Sequence, residues 1–445
     1  MPTLAERFRA HLKRRRLFPR AGTALVAVSG GPDSVALLDL LVGVSTAGEG
    51  PRLVVGHVDH GIHEESAKVA GLVRRLAAHY GLPCESVRLE LGRGATETAA
   101  RRARYAWLGA ARSRVGADWL VTAHHQDDQI ETILLRALRG SAPAGLAGIA
   151  ARTQGGIVRP LLPFTHAELV AYVEERGLAS HDDPANRDAR HLRSWLRHSI
   201  IPLLEGRFGV QLKGDLGRLG KSAARDRRAW DAAIKRLPGL DLRISAGACD
   251  VARAALREYD DALGVAVLRA ASRRVGLVLG PRRARRLLDL AQRPSGRRLE
   301  LGGGWEAEVS FDRLRLYRPA APPPVLPVAS RNSRGDVQFG DYLVRWSPSR
   351  APQRMARATW RTWIRGAGWE VRGPRPGDVI EPLGGVGRRP LRRVLMEAHV
   401  PRSERRRYPV VAVGETVVWV PGICRSAAAV PRPGTQAVRV DVTGH

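Results

Sequence analysis

Between Thr23 and Val121 short apolar runs alternate with longer stretches of helical period. Thr23–Ser29 (TALVAVS) is an apolar run that stops at Gly30-Gly31, the pattern of a parallel strand covered on both faces. Ser34–Val42 reads as a helix. Arg52–Val58 (RLVVGHV) repeats the strand signal, and Glu65–Tyr80 the helical one, closed by Gly81. Cys84–Leu89 and Trp119–Thr122 read as further strands, Thr96–Val115 and Asp127–Arg139 as further helices. Strands that alternate with helices bury both sheet faces when they run parallel. The expected fold class is therefore α/β, a doubly wound parallel sheet. Such sheets bind ligands beyond the carboxyl ends of their strands, so the loops after the strands are the places to look for chemistry.

The loop after the first strand is Ser29-Gly30-Gly31-Pro32-Asp33-Ser34. Two glycines let the backbone approach an anion closely, and the helix that follows offers unpaired N–H groups to phosphate. It is not a Walker A loop, which needs a Lys before Ser/Thr. Asp33 stands near where that Lys is wanted, and a carboxylate beside a triphosphate calls for Mg²⁺ between them. Capping of a helix by Asp and Ser is the plainer alternative. The second loop, from His57 through Asp59 to His63, repeats histidine every three residues. That spacing suits a zinc-binding helix better than a chain leaving a strand and turning at Gly61. The third loop, Thr122–Thr132 (TAHHQDDQIET), places Asp128 and Glu131 on one helix face. Acids in a first turn also serve as caps, but two histidines and three acids together exceed what capping needs. Arg101 and Arg104, three apart on a helix, are placed to reach one phosphate; a solvated helix face explains them equally well. Arg136–Ile149 reads as a Gly/Ala loop, a gate over the site.

From Lys213 to Arg293 the chain reads as entirely helical and basic, and Arg297–Tyr317 as a hairpin around a Gly-rich turn. Pro319–Pro327 (PAAPPPVLP) is a stiff linker. Three segments follow: a nucleotide-binding catalytic domain over 1–212, a mainly helical domain over 213–320 and a small α+β domain over 328–445. Lys+Arg exceed Asp+Glu by 30, which points to a polyanionic partner. A GC-rich coding bias accounts for Arg over Lys but not for the excess over acids. Residues 351–410 alone hold fourteen Arg against five acids. Cys84, Cys249 and Cys424 are far apart, with neither metal nor disulfide spacing, and a reducing cytoplasm is expected. No apolar run is long enough to span a membrane. The sequence leaves the oligomeric state open, a homodimer included.

SGGPDS, the HVDHGI segment and TAHHQDDQIETILLRALRGSAPAGLAGI together resemble the PP-loop ATP pyrophosphatase superfamily. Within it the chain is similar to the tRNA(Ile)-lysidine synthases. The likeness continues through Arg159-Pro160-Leu161-Leu162, Asp182–Asn186 and Arg193–Leu204 (RSWLRHSIIPLL), and resumes over Arg372–Val411. Ser194 replaces the family's Asn after Arg193, Ala185 replaces the Ser before Asn186, and the Lys-rich C-terminal stretch is Arg-rich here. The resemblance implies adenylation of C2–O of the wobble cytidine in the CAU anticodon of an isoleucine tRNA, then displacement of AMP by the ε-amine of free lysine. It implies ATP bound by Ser29, Gly30, Gly31, Pro32, Asp33, Ser34 and His57, with Mg²⁺ on Asp33. His124, Asp128 and Glu131 remain the candidates for the base that lysine needs, the two acids serving equally to hold its ammonium. Arg101 and Arg104, with Arg388, Arg389, Arg392 and Arg393 and the run Arg405–Arg407, are expected on the tRNA.

Overall fold

The computed structural model describes every residue except Met1, 60–65, 90–96, Gln154, 182–191, Ala246, Pro322, Val325, 329–333, 355–358, 366–367, Val386 and His445. Hence His60, His63, Ala185 and Asn186 lie outside the described residues. The chain divides into two compact units, Met1–Ala229 and Trp230–His445.

In the first unit, strands β1 (Thr23–Ala27), β2 (Arg52–Asp59), β3 (Cys84–Arg88), β4 (Trp119–Val121) and β5 (Ile157–Val158) form one sheet in the order β3-β2-β1-β4-β5. Every neighbouring pair is parallel, and the expected doubly wound α/β sheet is the one observed. Its helices are α1 (Leu4–Arg15), α2 (Pro32–Thr46), α3 (Ser66–His79), α4 (Glu97–Arg114), α5 (Gln126–Leu138) and α6 (His166–Glu175). Helix α2 is buried continuously from Ser34 to Leu41; a helix apolar on all sides belongs inside a core, and this one fixes the loop that precedes it. Strand order reverses at β1, with β2 on one side and β4 on the other, and the crevice opens beyond their carboxyl ends.

A short helix α7 (Leu192–Trp195) passes through a π turn, Leu196–Ile200, into α8 (Ile201–Phe208). Pro202 follows that turn and has no N–H to donate, so the regular helical ladder is interrupted here. Helix α9 (Leu212–Ala233) crosses α5 at Gly220, where a Cβ would meet Ile133 Cδ1 at 2.4 Å. Its start therefore packs with the first unit rather than with the segment after it.

In the second unit, residues 234–316 share one core and residues 337–442 build two more. The expectation of continuous helix from Lys213 to Arg293 needs correction. Strands Arg243–Ser245 and Ala248–Ala252 form a hairpin, turning at Gly247 with φ 77°, and Cys249 and Val251 are buried beneath it. They join Arg298–Gly302, Trp305–Ser310 and Arg313–Tyr317 in one antiparallel sheet. Beyond the linker lie further antiparallel sheets and two short helices, Leu391–Glu397 and Arg402–Arg405. Ser403 donates to Glu308, and Arg315 pairs with Glu404, tying this part to the preceding sheet. Among the described residues no helix is long and apolar enough to cross a membrane.

Candidate active site

The Ser29–Ser34 loop is shaped by one hydroxyl. Ser34 Oγ accepts from the amides of Ser29 and Gly30, each at 3.1 Å, and donates to Gly31 O at 2.9 Å. Gly30 sits at φ 91°, and a Cβ there would meet Val69 Cγ1 at 2.7 Å, so only glycine fits. Gly31 caps α2, and Pro32 takes the first turn, where its missing N–H costs nothing. Asp33 follows in that first turn.

Opposite stands the β4–α5 loop. His125 is the N-cap of α5, and its amide donates to Asp128 Oδ2 at 3.0 Å. The capping role expected as the plainer alternative is real for that oxygen; it does not use the other. His125 Nε2 lies 3.6 Å from both Asp33 Oδ2 and Asp128 Oδ2. Asp33 Oδ1 accepts from His166 Nδ1 at 2.8 Å, and Asp127 accepts from the His166 amide at 2.9 Å. Asp33, His125 and His166 thus converge with one ligand atom each within 4.8 Å of one another, a set that can hold a divalent cation. Burial opposes the charged form of His125, but Asp127, Asp128 and Asp33 outweigh it and its pKa is raised. His166 is raised as well, chiefly by its bond to Asp33.

Arg197, on the π turn, reaches Glu131 Oε1 through Nε at 2.6 Å and Asp128 Oδ1 through Nη2 at 3.5 Å. One guanidinium orients both acids. Glu131 is fully buried, and its Oε2 has no hydrogen-bond partner among the described residues. Burial raises its pKa despite Arg197. Asp128 is also penalised by burial, yet His125, His124 and Arg197 hold it below the usual carboxylate range. His124 shares Nδ1 with Thr122 Oγ1 at 2.9 Å, and burial drives its pKa down to about 4, leaving the imidazole neutral.

The remaining expected residues are less central. His57 is buried; its Nδ1 donates to Val28 O at 2.8 Å, and its Nε2 is buried without a hydrogen-bond partner among the described residues. Arg101 and Arg104 flank the Tyr105 ring at 5.3 and 5.7 Å. In the second unit Arg388, Arg392 and Arg393 are exposed. Arg389 and Arg393 both pair with Glu397, which offsets part of their charge. His166 and Arg197 were not singled out from sequence. Arg197 lies four residues after Arg193 within RSWLRHSIIPLL, a weak signal; His166, beside the N-cap Thr165, offered none. Cys249 and Cys424 are free, and burial pushes their thiols up to about 12 and about 11.

A glycine loop at the switch point of a parallel sheet, with a carboxylate in its helix's first turn and no Walker lysine, defines a PP-loop nucleotide-binding protein. Residues 3–204 match the PP-loop domain family, and residues 369–442 match the TilS substrate C-terminal domain. The tRNA(Ile)-lysidine synthase of Symbiobacterium thermophilum is 34% identical, over 99% of this chain and 98% of that protein. That of Solibacter usitatus is 32% identical, over 91% and 94%. The chain belongs to the tRNA(Ile)-lysidine synthase family.

Proposed function

We propose that this enzyme joins free L-lysine to C2 of the wobble cytidine in the CAU anticodon of tRNA(Ile), through an adenylated cytidine, with release of AMP and pyrophosphate. One observation carries the reading. The His125 imidazole faces both Asp33, on the phosphate loop, and Asp128, paired with Glu131 on α5. The cation that accompanies the nucleotide phosphates and the cationic amine thereby each find a carboxylate, on either side of one ring.

Ser29–Ser34 cradles the ATP phosphates, with Asp33 as the carboxylate toward Mg²⁺. The donor set suits this: one carboxylate completed by substrate phosphates and water is the usual protein share of a Mg²⁺ site. The two imidazoles beside it also favour softer divalent ions. The cation neutralises phosphate charge when bound. His57 Nε2 accepts from the nucleoside end. An amide-like carbonyl oxygen leaves poorly, whereas AMP leaves well, so adenylation is what opens C2 to an amine.

Lysine arrives mostly as ammonium, since its unperturbed pKa is about 10.4. Asp128 and Glu131 receive that charge, and the orphan Glu131 Oε2 is an acceptor waiting for a donor. One of these carboxylates takes the proton that frees the amine's lone pair; as the C–N bond forms and the C2–O bond to AMP breaks, the second proton passes to His124, neutral because buried. Arg101 and Arg104 steady phosphate. In the second unit Arg388, Arg389, Arg392 and Arg393 hold the tRNA body through sequence-independent phosphate contacts, leaving remote binding energy to position a single base.

A cytidine-thiolating enzyme is the alternative in the same superfamily. It needs a reactive sulfur carrier, and the buried thiols are held protonated instead. Incubation with labelled lysine, ATP and a CAU-anticodon tRNA(Ile) transcript tests the proposal. Label should enter the tRNA only with ATP and be lost when the wobble cytidine is replaced; no incorporation under saturating substrates sinks it.

A further inference from the structure

A cavity of about 330 Å³ in the first unit is walled by five arginines: Arg101, Arg136, Arg159, Arg193 and Arg227. They come from five separate places, namely α4, α5, the segment after β5, α7 and α9. Among the described residues that line the cavity none is acidic. Folding gathers these like charges at a cost. Burial disfavours the charged forms of Arg136 and Arg159; Arg227 and Arg193 add to it for the first, while for the second Tyr105 opposes it and Arg101 adds to it.

The backbone occupies only part of this donor set. Arg136 Nη1 donates to Gly145 O at 2.9 Å and Gly148 O at 2.8 Å, and Arg159 Nη1 to Ala150 O at 2.8 Å. These bonds hold the 145–150 loop as one wall but cancel no charge. Arg159 is more than nine-tenths buried, and its Nε has no hydrogen-bond partner among the described residues. The cavity also adjoins the reaction centre. Asp128, Thr132 and Arg136 follow one another at i, i+4 and i+8 along one row of α5. Thr132, about 6 Å along the axis from Asp128, lines the cavity together with His124. An anion placed there meets several planar donor forks, the arrangement that binds phosphate oxygens in pairs.

We infer that this cavity is a phosphate pocket separate from the Ser29–Ser34 loop, and that it takes the backbone phosphate flanking the nucleotide to be modified. The anion chemistry stands on the arginines; RNA as its source rests on the function proposed above. Free pyrophosphate has the same chemistry and is the other source to distinguish.

The test uses the full-length chain with Arg227→Gln and Arg227→Lys. Binding of fluorescent tRNA(Ile) is followed across a salt series, pyrophosphate binding is measured by calorimetry, and melting temperature reports folding. Arg227→Gln should weaken tRNA binding about tenfold and lower the slope of log K against log salt by about 0.7, one single-strand phosphate contact. Arg227→Lys should keep the slope while losing part of the affinity. Pyrophosphate binding should not change. A lost pyrophosphate site with an unaltered tRNA slope would overturn the RNA assignment. Unaltered binding of both, at an unaltered melting temperature, would overturn the pocket. If Arg227→Gln melts early, Arg101→Gln on α4 puts the same question. Lysine transfer by the wild-type enzyme is scored separately, so failure of the catalytic reading is not mistaken for failure of this one.

Discussion

Removing Arg197 isolates the electrostatics of the acid pair. In Arg197→Met the buried Glu131 loses its nearest cation, 2.6 Å away. Breaking a fully buried pair costs about 3–5 kcal/mol and an exposed one about 0–1. The Arg197 side chain is 34% exposed while that of Glu131 is 1% exposed, which places the cost between these limits, near 2 kcal/mol. For a unit of this size that lowers the melting temperature by about 4–8 °C. The pH dependence is the sharper readout. Burial already raises the pKa of Glu131, and losing Arg197 raises it further. Between its unfolded and folded pKa the folded state binds the extra proton. Stability is therefore intact below the unfolded value and falls as pH rises through the folded one. Calorimetric melts at pH 5 and pH 8 should show a larger penalty at pH 8. Adding Glu131→Gln, which replaces the charge by an amide, should recover most of it. A penalty equal at both pH values and untouched by Glu131→Gln would refute the reasoning and leave Arg197 as packing alone.

Three further outcomes are expected. Asp33→Asn should fold normally yet lose lysine transfer; near wild-type turnover at saturating Mg²⁺ and ATP would remove Asp33 from the assignment. Ser34→Ala strips the acceptor from the Ser29 and Gly30 amides, at about 1–3 kcal/mol for each donor left unmatched. The KM for ATP should rise at least tenfold with a smaller change in kcat, and an unchanged KM would show that the hydroxyl does not shape the loop. Arg388→Glu and Arg392→Glu should each weaken tRNA binding and flatten its salt dependence. Arg389→Glu should do so less, because Glu397 already offsets that charge; equal effects at all three positions would argue against this ranking.

The parallel sheet was legible because burial on both faces leaves a local mark: continuous apolar runs, each ended by turn residues, at β1, β2 and β4. The phosphate loop was legible for the same reason, since two glycines, a proline and Asp33 act within six residues. Asp128 and Glu131 could be placed on one helix face from spacing alone. What completes their site could not. His166 meets Asp33 across 133 residues of sequence, and Arg197 meets Glu131 across 66. The π turn that carries Arg197 has no periodicity to betray it. The hairpin at Arg243–Ala252 was hidden differently. Its first strand is exposed throughout, so no apolar alternation separates it from the Arg- and Ala-rich helices around it.

The net charge of +30 suggested an RNA partner, but the structure divides the arginines into two chemical populations. Arg253 gives hydrogen bonds to three carbonyls, those of Ala291, Phe311 and Arg293, at 2.5–2.8 Å. Arg372, with no exposure at all, pairs in a fork with both oxygens of Asp378. Arg425 is buried against Thr362 and the Trp363 carbonyl. A lysine has neither the flat fork nor the number of fixed donors for these places, so at such sites arginine is demanded by geometry, whatever the coding bias. Their charge is shared with carbonyls or a carboxylate and does not face a ligand. The cavity arginines and the exposed Arg388 and Arg392 belong to the other population, with no acidic partner in an ion pair among the described residues. Arginines of this second kind are the ones that can release counterions from RNA. The salt dependence of tRNA binding should therefore count a handful of contacts rather than the thirty excess charges of the chain.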